Sequence, residues 1–397
     1  MEINHSLFST TDLIKKWLLK LLLSALLVVQ ASTGASGQSS NADFERVKIF
    51  GPDHIFSNIT MSPDGNTIAV SSKKSEPVTL IDWKNRQEIR KIDAGEWYAG
   101  SRINYSATGT YLLLQELNFY DLVENKNRKL HFEIVEAASG RIIKDFQDVQ
   151  DVLITTDEQQ AVSLQGEEIT FWNLATGSKL KSFRVSGASD AIALSPDGST
   201  IAVSHIVTKA DLKGDRRFKK KKAAKPVLRF KQLVSFYNTT TFEKLKTVNE
   251  FYDIVYRLRF SNDGNNVFVF QIPHIKVQTS KQTLTYVSRV DGKSFEALRG
   301  GLTSQSIGQP DIRLSHNGQF FAINSKGNKF QEIHLYDFAS GTLLQRFELG
   351  QRLFEKGSEG EKLIKDSRPS FLFLPGDTSI LITMGNQMII WNLDTNQ

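Results

Sequence analysis

A unit of fixed design recurs seven times along this chain: an apolar strand, a Ser-Pro-Asp-Gly-type turn, a second apolar strand, then an aromatic strand ending near Thr-Gly or Ser-Gly. The clearest copies run from Ile59 to Val70 around Ser62-Pro63-Asp64-Gly65, and from Ala191 to Val203 around Ser195-Pro196-Asp197-Gly198. A supersecondary unit repeated in this way cannot bury both of its own faces, so each copy must pack on its neighbours.

The turns fix the local geometry. Asp-Gly or Asn-Gly between alternating apolar residues is a strong hairpin signal, because glycine reaches positive φ without a Cβ clash. It recurs at Asp64-Gly65, Asp197-Gly198, Asp263-Gly264 and Asn317-Gly318, with weaker versions at Thr108-Gly109, Thr156-Asp157 and Gly376-Asp377. Downstream lie aromatic strands closed by polar turns: Phe171-Trp172-Asn173-Leu174-Ala175-Thr176-Gly177, Leu335-Tyr336-Asp337-Phe338-Ala339-Ser340-Gly341 and Ile390-Trp391-Asn392-Leu393-Asp394-Thr395. These segments resemble the WD40-repeat family, whose units end in a Trp-Asp-like strand and a Thr-Gly turn. The resemblance covers residues 44 to 397 and implies an all-β, seven-bladed β-propeller of four-stranded antiparallel blades. Asp82-Trp83, the stretch from Glu133 to Ala138 and that from Tyr286 to Gly292 depart from the pattern, and of the family's Gly-His pair only Gly51 with His54 is near. The TolB-like periplasmic propellers, which share the Ser-Pro-Asp-Gly turn, are the second resemblance.

Ring closure follows from the two ends of the repeat. The last unit stops just after its Trp391 strand and lacks an outermost strand, while Phe44 to Phe50 alternates apolar and polar before the first complete unit. Pairing of the two leaves no open sheet edge. The uninterrupted repeat overrides the two or three domains that length alone suggests.

Ahead of the propeller, Lys15-Lys16-Trp17 precedes an apolar run from Leu18 to Val29 and then small residues through Gly37. This is the build of a secretory signal peptide over residues 1–31, with Val29-Gln30-Ala31 as one cleavage site and residues 32–43 as a linker; the alternative is an uncleaved anchor. A periplasmic or secreted bacterial protein is expected. The chain has no cysteine, which removes disulfides, zinc-thiolate sites and cysteine nucleophiles.

Charge is concentrated. Of 49 basic and 43 acidic residues, residues 208 to 231 hold eleven basic and two acidic ones, net +9, so the rest of the chain sums to −3. The repeat places this stretch, an insertion over 206–231, between the second and third strands of the fourth blade. Its apolar shoulders predict a projecting hairpin with a disordered basic tip. In WD40-like propellers that connection opens on the face carrying the loops between blades, where the long additions Glu116 to Lys129, Ile272 to Gln282 and Gly350 to Ser370 also fall. A crowded face opposite a plain one points to a partner on the crowded face.

The residues expected to make that contact are Lys209, Lys213, Arg216, Arg217, Lys219, Lys220, Lys221, Lys222 and Lys225, helped by Trp97, Tyr98, Phe119 and Tyr120 in neighbouring loops. Clustered cations attract polyanions with steep salt dependence. For an exported protein the matching partners are an acidic protein or an anionic envelope surface (lipid headgroup, lipopolysaccharide or acidic glycan); nucleic acid is disfavoured and a monomer is expected. Trp83, Trp172, Trp391 and Tyr336 fall on third strands and read as core.

The search for catalysis returns little. No nucleophile elbow, zinc-protease helix, phosphate-cradling loop or calcium loop is present. His54, His205 and His274 fall on the loop-rich face without metal-ligand spacing to one another. No cofactor and no metal site is expected. The favoured function is therefore an exported, non-catalytic interaction scaffold; the alternative is an enzyme or small-ligand binder using the central channel.

Overall fold

A computed structural model describes residues 44–93, 95–117, 129–273, 284–305, 312–326, 331–338, 340–349 and 368–393. It is a ring of seven four-stranded antiparallel sheets. β1 (Phe44–Arg46) precedes blade one, which is β2 (Phe56–Met61), β3 (Thr67–Ser72), β4 (Val78–Asp82) and β5 (Gln87–Ile92). Blade two is β6 (Ser101–Tyr105), β7 (Tyr111–Glu116), β8 (Leu130–Glu136) and β9 (Ile142–Val149). Blade three follows with β10 (Asp151–Ile154), β11 (Gln160–Gln165), β12 (Glu168–Asn173) and β13 (Lys179–Arg184). In blade four, β14 (Ser189–Leu194) and β15 (Thr200–Ile206) are separated from β16 (Gln232–Asn238) and β17 (Lys244–Thr247) by the insertion. Blade five is β18 (Ile254–Phe260), β19 (Asn266–Ile272), β20 (Leu284–Asp291) and β21 (Ala297–Gln305); blade six is β22 (Ile312–Leu314), β23 (Phe320–Lys326), β24 (Gln331–Asp337) and β25 (Leu343–Glu348). Blade seven is β26 (Ser370–Phe373), β27 (Ser379–Met384) and β28 (Gln387–Asn392), completed by β1.

The closure expected from the sequence is present. β1 runs antiparallel to β28, with Phe44 opposite Trp391, Glu45 opposite Ile390 and Arg46 opposite Ile389. The paired strand is shorter than the alternation suggested: it ends at Arg46, although the Val47 N–H still donates to the Met388 carbonyl at 2.9 Å. Beyond it, Val47, Ile49 and Phe50 leave the edge to pack on the core between blades seven and one.

The core sits between blades rather than within them. Each of the seven apolar clusters among the described residues draws on two successive blades. Phe347 of blade six, for example, packs against Trp391 of blade seven at 5.2 Å between ring centroids. No blade buries both of its faces alone, which is why the repeat must close.

The turns that generate the repeat are hydrogen-bonded rather than merely permissive. In blade one the Ser62 hydroxyl donates to Asp64 Oδ1 at 2.5 Å and accepts from the Thr67 N–H at 2.8 Å, while Asp64 Oδ1 also accepts from the Asn66 N–H. Blade four repeats this with Ser195, Asp197, Ser199 and Thr200, and blade five with Ser261, Asp263, Asn265 and Asn266. The Ser62 hydroxyl, then Asn66, hold the Asp64 carboxyl below its ordinary range. Gly65 and Gly198 follow at φ 74° and 72°, the left-handed region where a Cβ is costly.

Inner strands are pinned to one another by side chains. Ser370 Oγ accepts from the Ile59 N–H, Asn58 Oδ1 from the Ile103 N–H and Asp151 Oδ2 from the Ile192 N–H. These bonds join blades seven to one, one to two and three to four around the axis.

Candidate functional site

The basic insertion leaves the ring between β15 and β16, as the repeat required. Its neck is closed by β-pairing of Ile206 with Gln232 and by the Val207 N–H donating to the Lys231 carbonyl. Beyond the neck the expected hairpin with a disordered tip is absent. Instead a 3-10 turn over Arg216–Phe218 leads into a helix, α1 (Lys221–Phe230). The physical reason is composition: Lys, Ala, Leu and Arg are good helix formers, and the segment lacks a β-branched run.

Side-chain periodicity then sorts the helix. Ala224, Val227 and Leu228 lie partly buried, while Lys221, Lys222, Lys225 and Arg229 are exposed and fall within roughly 100° of arc at 3.6 residues per turn. Three features work against the helix. It begins without a side-chain cap, Lys220 to Lys222 crowd its positive end, and Pro226 removes one internal donor. The insertion is tied to the ring by residues on either side of the helix. Lys231 Nζ lies 2.6 Å from Asp253 Oδ1, and Phe218 packs edge-on against Phe251 at 5.4 Å, both partners belonging to the segment between blades four and five.

Lys209, Lys213, Arg216, Arg217, Lys219, Lys220, Lys221, Lys222 and Lys225 are all exposed. The two acids of the insertion are committed locally. Asp211 accepts from the Thr208 N–H and hydroxyl, and Asp215 takes a two-pronged bond from the Arg217 guanidinium. That pair holds the Asp215 carboxyl low and the Arg217 guanidinium high. Arg217 thus brings the least uncommitted charge of the nine.

The aromatic residues divide. Trp97 is 6 % exposed, its indole N–H donating to His131 Nδ1 at 3.2 Å with the rings edge-to-face; it fills the core between blades one and two and is not a surface anchor, a correction to the sequence reading. The reason is the tight path from Gly95 to Gly100: a Cβ on Gly100 would lie 2.1 Å from Ser57 Oγ, so the loop folds onto the ring and carries the indole inward. Tyr98, by contrast, is 75 % exposed. Phe119 and Tyr120 lie outside the described residues, as do the signal-peptide segment, the linker and most of the other three long additions.

Tyr98 and the insertion occupy one face. The Tyr98 carbonyl accepts from Lys74 in the β3–β4 connection, and the Ile206 N–H donates to Ala188 in the link between blades three and four. Connections between second and third strands therefore meet the links between blades at both places.

His54 and His205 are held in structural bonds. His54 bridges Ser72 Oγ at 2.6 Å and Glu76 Oε2 at 2.9 Å, an order that mimics a nucleophile, base and orienting acid. Ser72 is 1 % exposed, however, so its hydroxyl cannot meet a substrate, and the trio instead ties the entry of blade one to its β3–β4 turn. Burial, then the charge of Lys91, depress the His54 pKa to about 4 despite the nearby carboxylate. His205 is buried with Nε2 on Ser235 Oγ, and burial lowers its pKa as well. His274 lies outside the described residues. No group of three metal-binding side chains converges among the described residues.

The sequence reading missed the lining of the ring's interior. A cavity of about 320 Å³ is walled by the inner strands of blades two to six. Among the described residues four arginines line it, Arg102 from β6, Arg257 and Arg259 from β18, and Arg313 from β22, together with Asp151, and each of the five is engaged in a further interaction. The available signal was the i, i+2 placement of Arg257 and Arg259, which puts both on one face of an otherwise apolar strand.

No protein-family model and no curated protein matches the chain. Among solved structures it is similar to Kuenenia stuttgartiensis hydrazine synthase, at 14% identity and TM-score 0.55 over 90% of this chain and 99% of that one. It is also similar to the β-propeller domain of Cps50 (Swd1) from Myceliophteria thermophila, at 11% identity and TM-score 0.57 over 89% and 100% of the two chains. At such identities the likeness establishes the fold, a β-propeller, and nothing about chemistry.

Proposed function

We propose that this protein is an exported, non-catalytic interaction scaffold of WD40-like type, whose basic insertion docks an acidic partner or an anionic envelope surface. One observation carries this reading: ten exposed cations, Arg229 among them, stand on a single structured insertion, on the same face as the exposed Tyr98. The insertion has only two carboxylates, both engaged within it, so its field is not cancelled locally. Anchoring of the insertion by Phe218 before α1 and Lys231 after it, to the segment between blades four and five, holds the charges near a defined surface rather than on a free tether, which reduces the ordering cost of binding. The likeness to a propeller domain fits a scaffold by analogy.

The leader over residues 1–31 sets the compartment, and with it the partners: anionic lipid headgroups, lipopolysaccharide phosphates, acidic glycans or an acidic protein. Mass measurement of the mature N-terminus from fractionated cells tests export. Docking is tested by co-sedimentation with anionic vesicles and with lipopolysaccharide, and by pull-down of acidic envelope proteins, across a salt series. Replacing Lys219, Lys220, Lys221 and Lys222 with glutamine is expected to lower affinity and flatten the salt dependence. Unchanged affinity for every partner sinks the assignment.

A further inference from the structure

From the way charge and apolar surface are divided on the insertion, we propose that its occupant is an anionic phospholipid bilayer, on which α1 lies as an interfacial helix. The inference rests on the basic docking surface proposed above and narrows its partner to one. Every residue of α1 falls into one of two arcs. Lys221, Lys222, Lys225 and Arg229 span about 100° at 3.6 residues per turn. The six other residues, all apolar and led by Val227, Leu228 and Phe230, fill an arc of about 200°, and the helix holds no carboxylate.

The apolar arc is not consumed by the fold. No residue from Thr208 to Lys231 is buried. Among strands and helices the main neighbour of α1 is the 3-10 turn of its own insertion, which holds no buried residue either. Ala224, Val227, Leu228 and Phe230 are left partly open to solvent, although their place on one side of the helix is that of a packing stripe.

The cations are equally available. The insertion's salt bridges are Arg217 with Asp215 and Lys231 with Asp253. Lys209, Lys213, Arg216 and the lysines from Lys219 to Lys225 are exposed and enter no ion pair among the described residues. An anionic bilayer satisfies both halves of this surface at once. Ammonium and guanidinium groups meet phosphate in the headgroup layer on their flexible stems, while the apolar arc leaves water at the boundary with the acyl chains. An acidic protein surface answers the charge but not the apolar arc. Tyr98, 75 % exposed on the same face, adds an aromatic ring of the kind that settles at headgroup level. Ten residues make a helix about 15 Å long, which lies on a bilayer and does not cross one.

The test uses the mature full chain, floated with vesicles of phosphatidylcholine alone and of phosphatidylcholine mixed with phosphatidylglycerol, across a salt series. Binding is expected to the mixed vesicles only, with a part that persists in high salt because it is apolar. Val227→Ala combined with Leu228→Ala keeps every charge and the helix propensity; it should weaken binding about tenfold and remove the salt-resistant part. The fourfold Lys219 to Lys222 glutamine variant should weaken binding by about tenfold or more at low salt. A Leu228→Trp variant should gain, over the parent's own tryptophans, a blue-shifted emission that brominated acyl chains quench. Melting temperatures equal to the parent's show that the ring is intact in each variant. Binding that high salt abolishes and the Val227→Ala, Leu228→Ala variant leaves unchanged overturns the inference, as does an introduced tryptophan that brominated lipid does not quench. Capture of an acidic protein without vesicle binding overturns it too, and leaves the basic docking surface standing. Failure to bind vesicles, lipopolysaccharide and acidic proteins alike removes both.

Discussion

The carboxylate of Glu158 in blade three accepts both the backbone N–H and the hydroxyl of Thr108 in blade two, each at 2.6 Å. Glu158 occupies the turn position that is glycine in blades one, four and five, and it does so at φ 56°. Asp377 repeats the device in blade seven, the closing blade. It also sits at φ 56° and accepts from the N–H groups of His316 and Asn317 in the preceding turn. Two blades thus accept an unfavourable backbone conformation and gain a pin between neighbouring turns.

Substitution at Glu158 separates the two effects. Glu158→Ala keeps the strained backbone and loses the pin, and it should destabilise the ring by about 2–4 kcal/mol. Glu158→Gly loses the pin but relieves the left-handed residue, so it should cost about 1–2 kcal/mol less than alanine. Chemical denaturation of the three proteins checks the order; an alanine variant as stable as the parent would show that the pin contributes nothing.

The seal at the ends of the chain gives a second expectation. Phe44 lies opposite Trp391 and stacks edge-on against Phe347 at 6.0 Å, so β1 covers both the edge of β28 and part of the core between blades six and seven. Phe44→Ala should cost about 1–3 kcal/mol, less than a fully buried phenylalanine because Phe44 is partly exposed. Removal of residues 44–50 should lower the melting temperature further and promote association through the bared strand edge. Circular dichroism melts with light scattering report both.

His54 makes stability depend on pH. Its folded pKa of about 4 lies below the ordinary 6.5, so the ring is neutral in both states above pH 6.5 and its contribution is complete there. As pH falls from 6.5 towards 4 the unfolded chain takes up a proton that the folded one refuses, and stability declines; below about 4 this loss levels off. A His54→Gln variant retains groups able to bond Ser72 and Glu76 but cannot titrate. Its melting temperature should fall less than the parent's over that interval, by about 1–3 °C. Parallel curves for the two proteins would contradict the assignment.

How far the sequence revealed the molecule depended on whether the signal was local. Ser62-Pro63-Asp64-Gly65 and its copies, the Trp391 strand and the alternation from Phe44 are short patterns with a direct geometric meaning, and they suffice for the blades, their number and the closure. The site was harder to read. Val207 and Val227-Leu228 looked like the shoulders of a hairpin, although Ala223, Ala224 and the lysines around them favour the helix that forms. Burial of Trp97 depends on the path between Gly95 and Gly100 and on a partner, His131, 34 residues away. The arginine lining needs residues from blades two, five and six brought to one axis, a convergence that no local pattern encodes.

The docking face is tested most directly by hydrogen exchange on the mature chain, with and without anionic vesicles or the captured acidic partner. Protection is expected over Lys209 to Arg229 and around Tyr98, with no change in the turns of the opposite face at Asp64-Gly65 and Asp197-Gly198. Protection confined to those opposite turns, or an insertion that exchanges identically in both samples, would contradict the account.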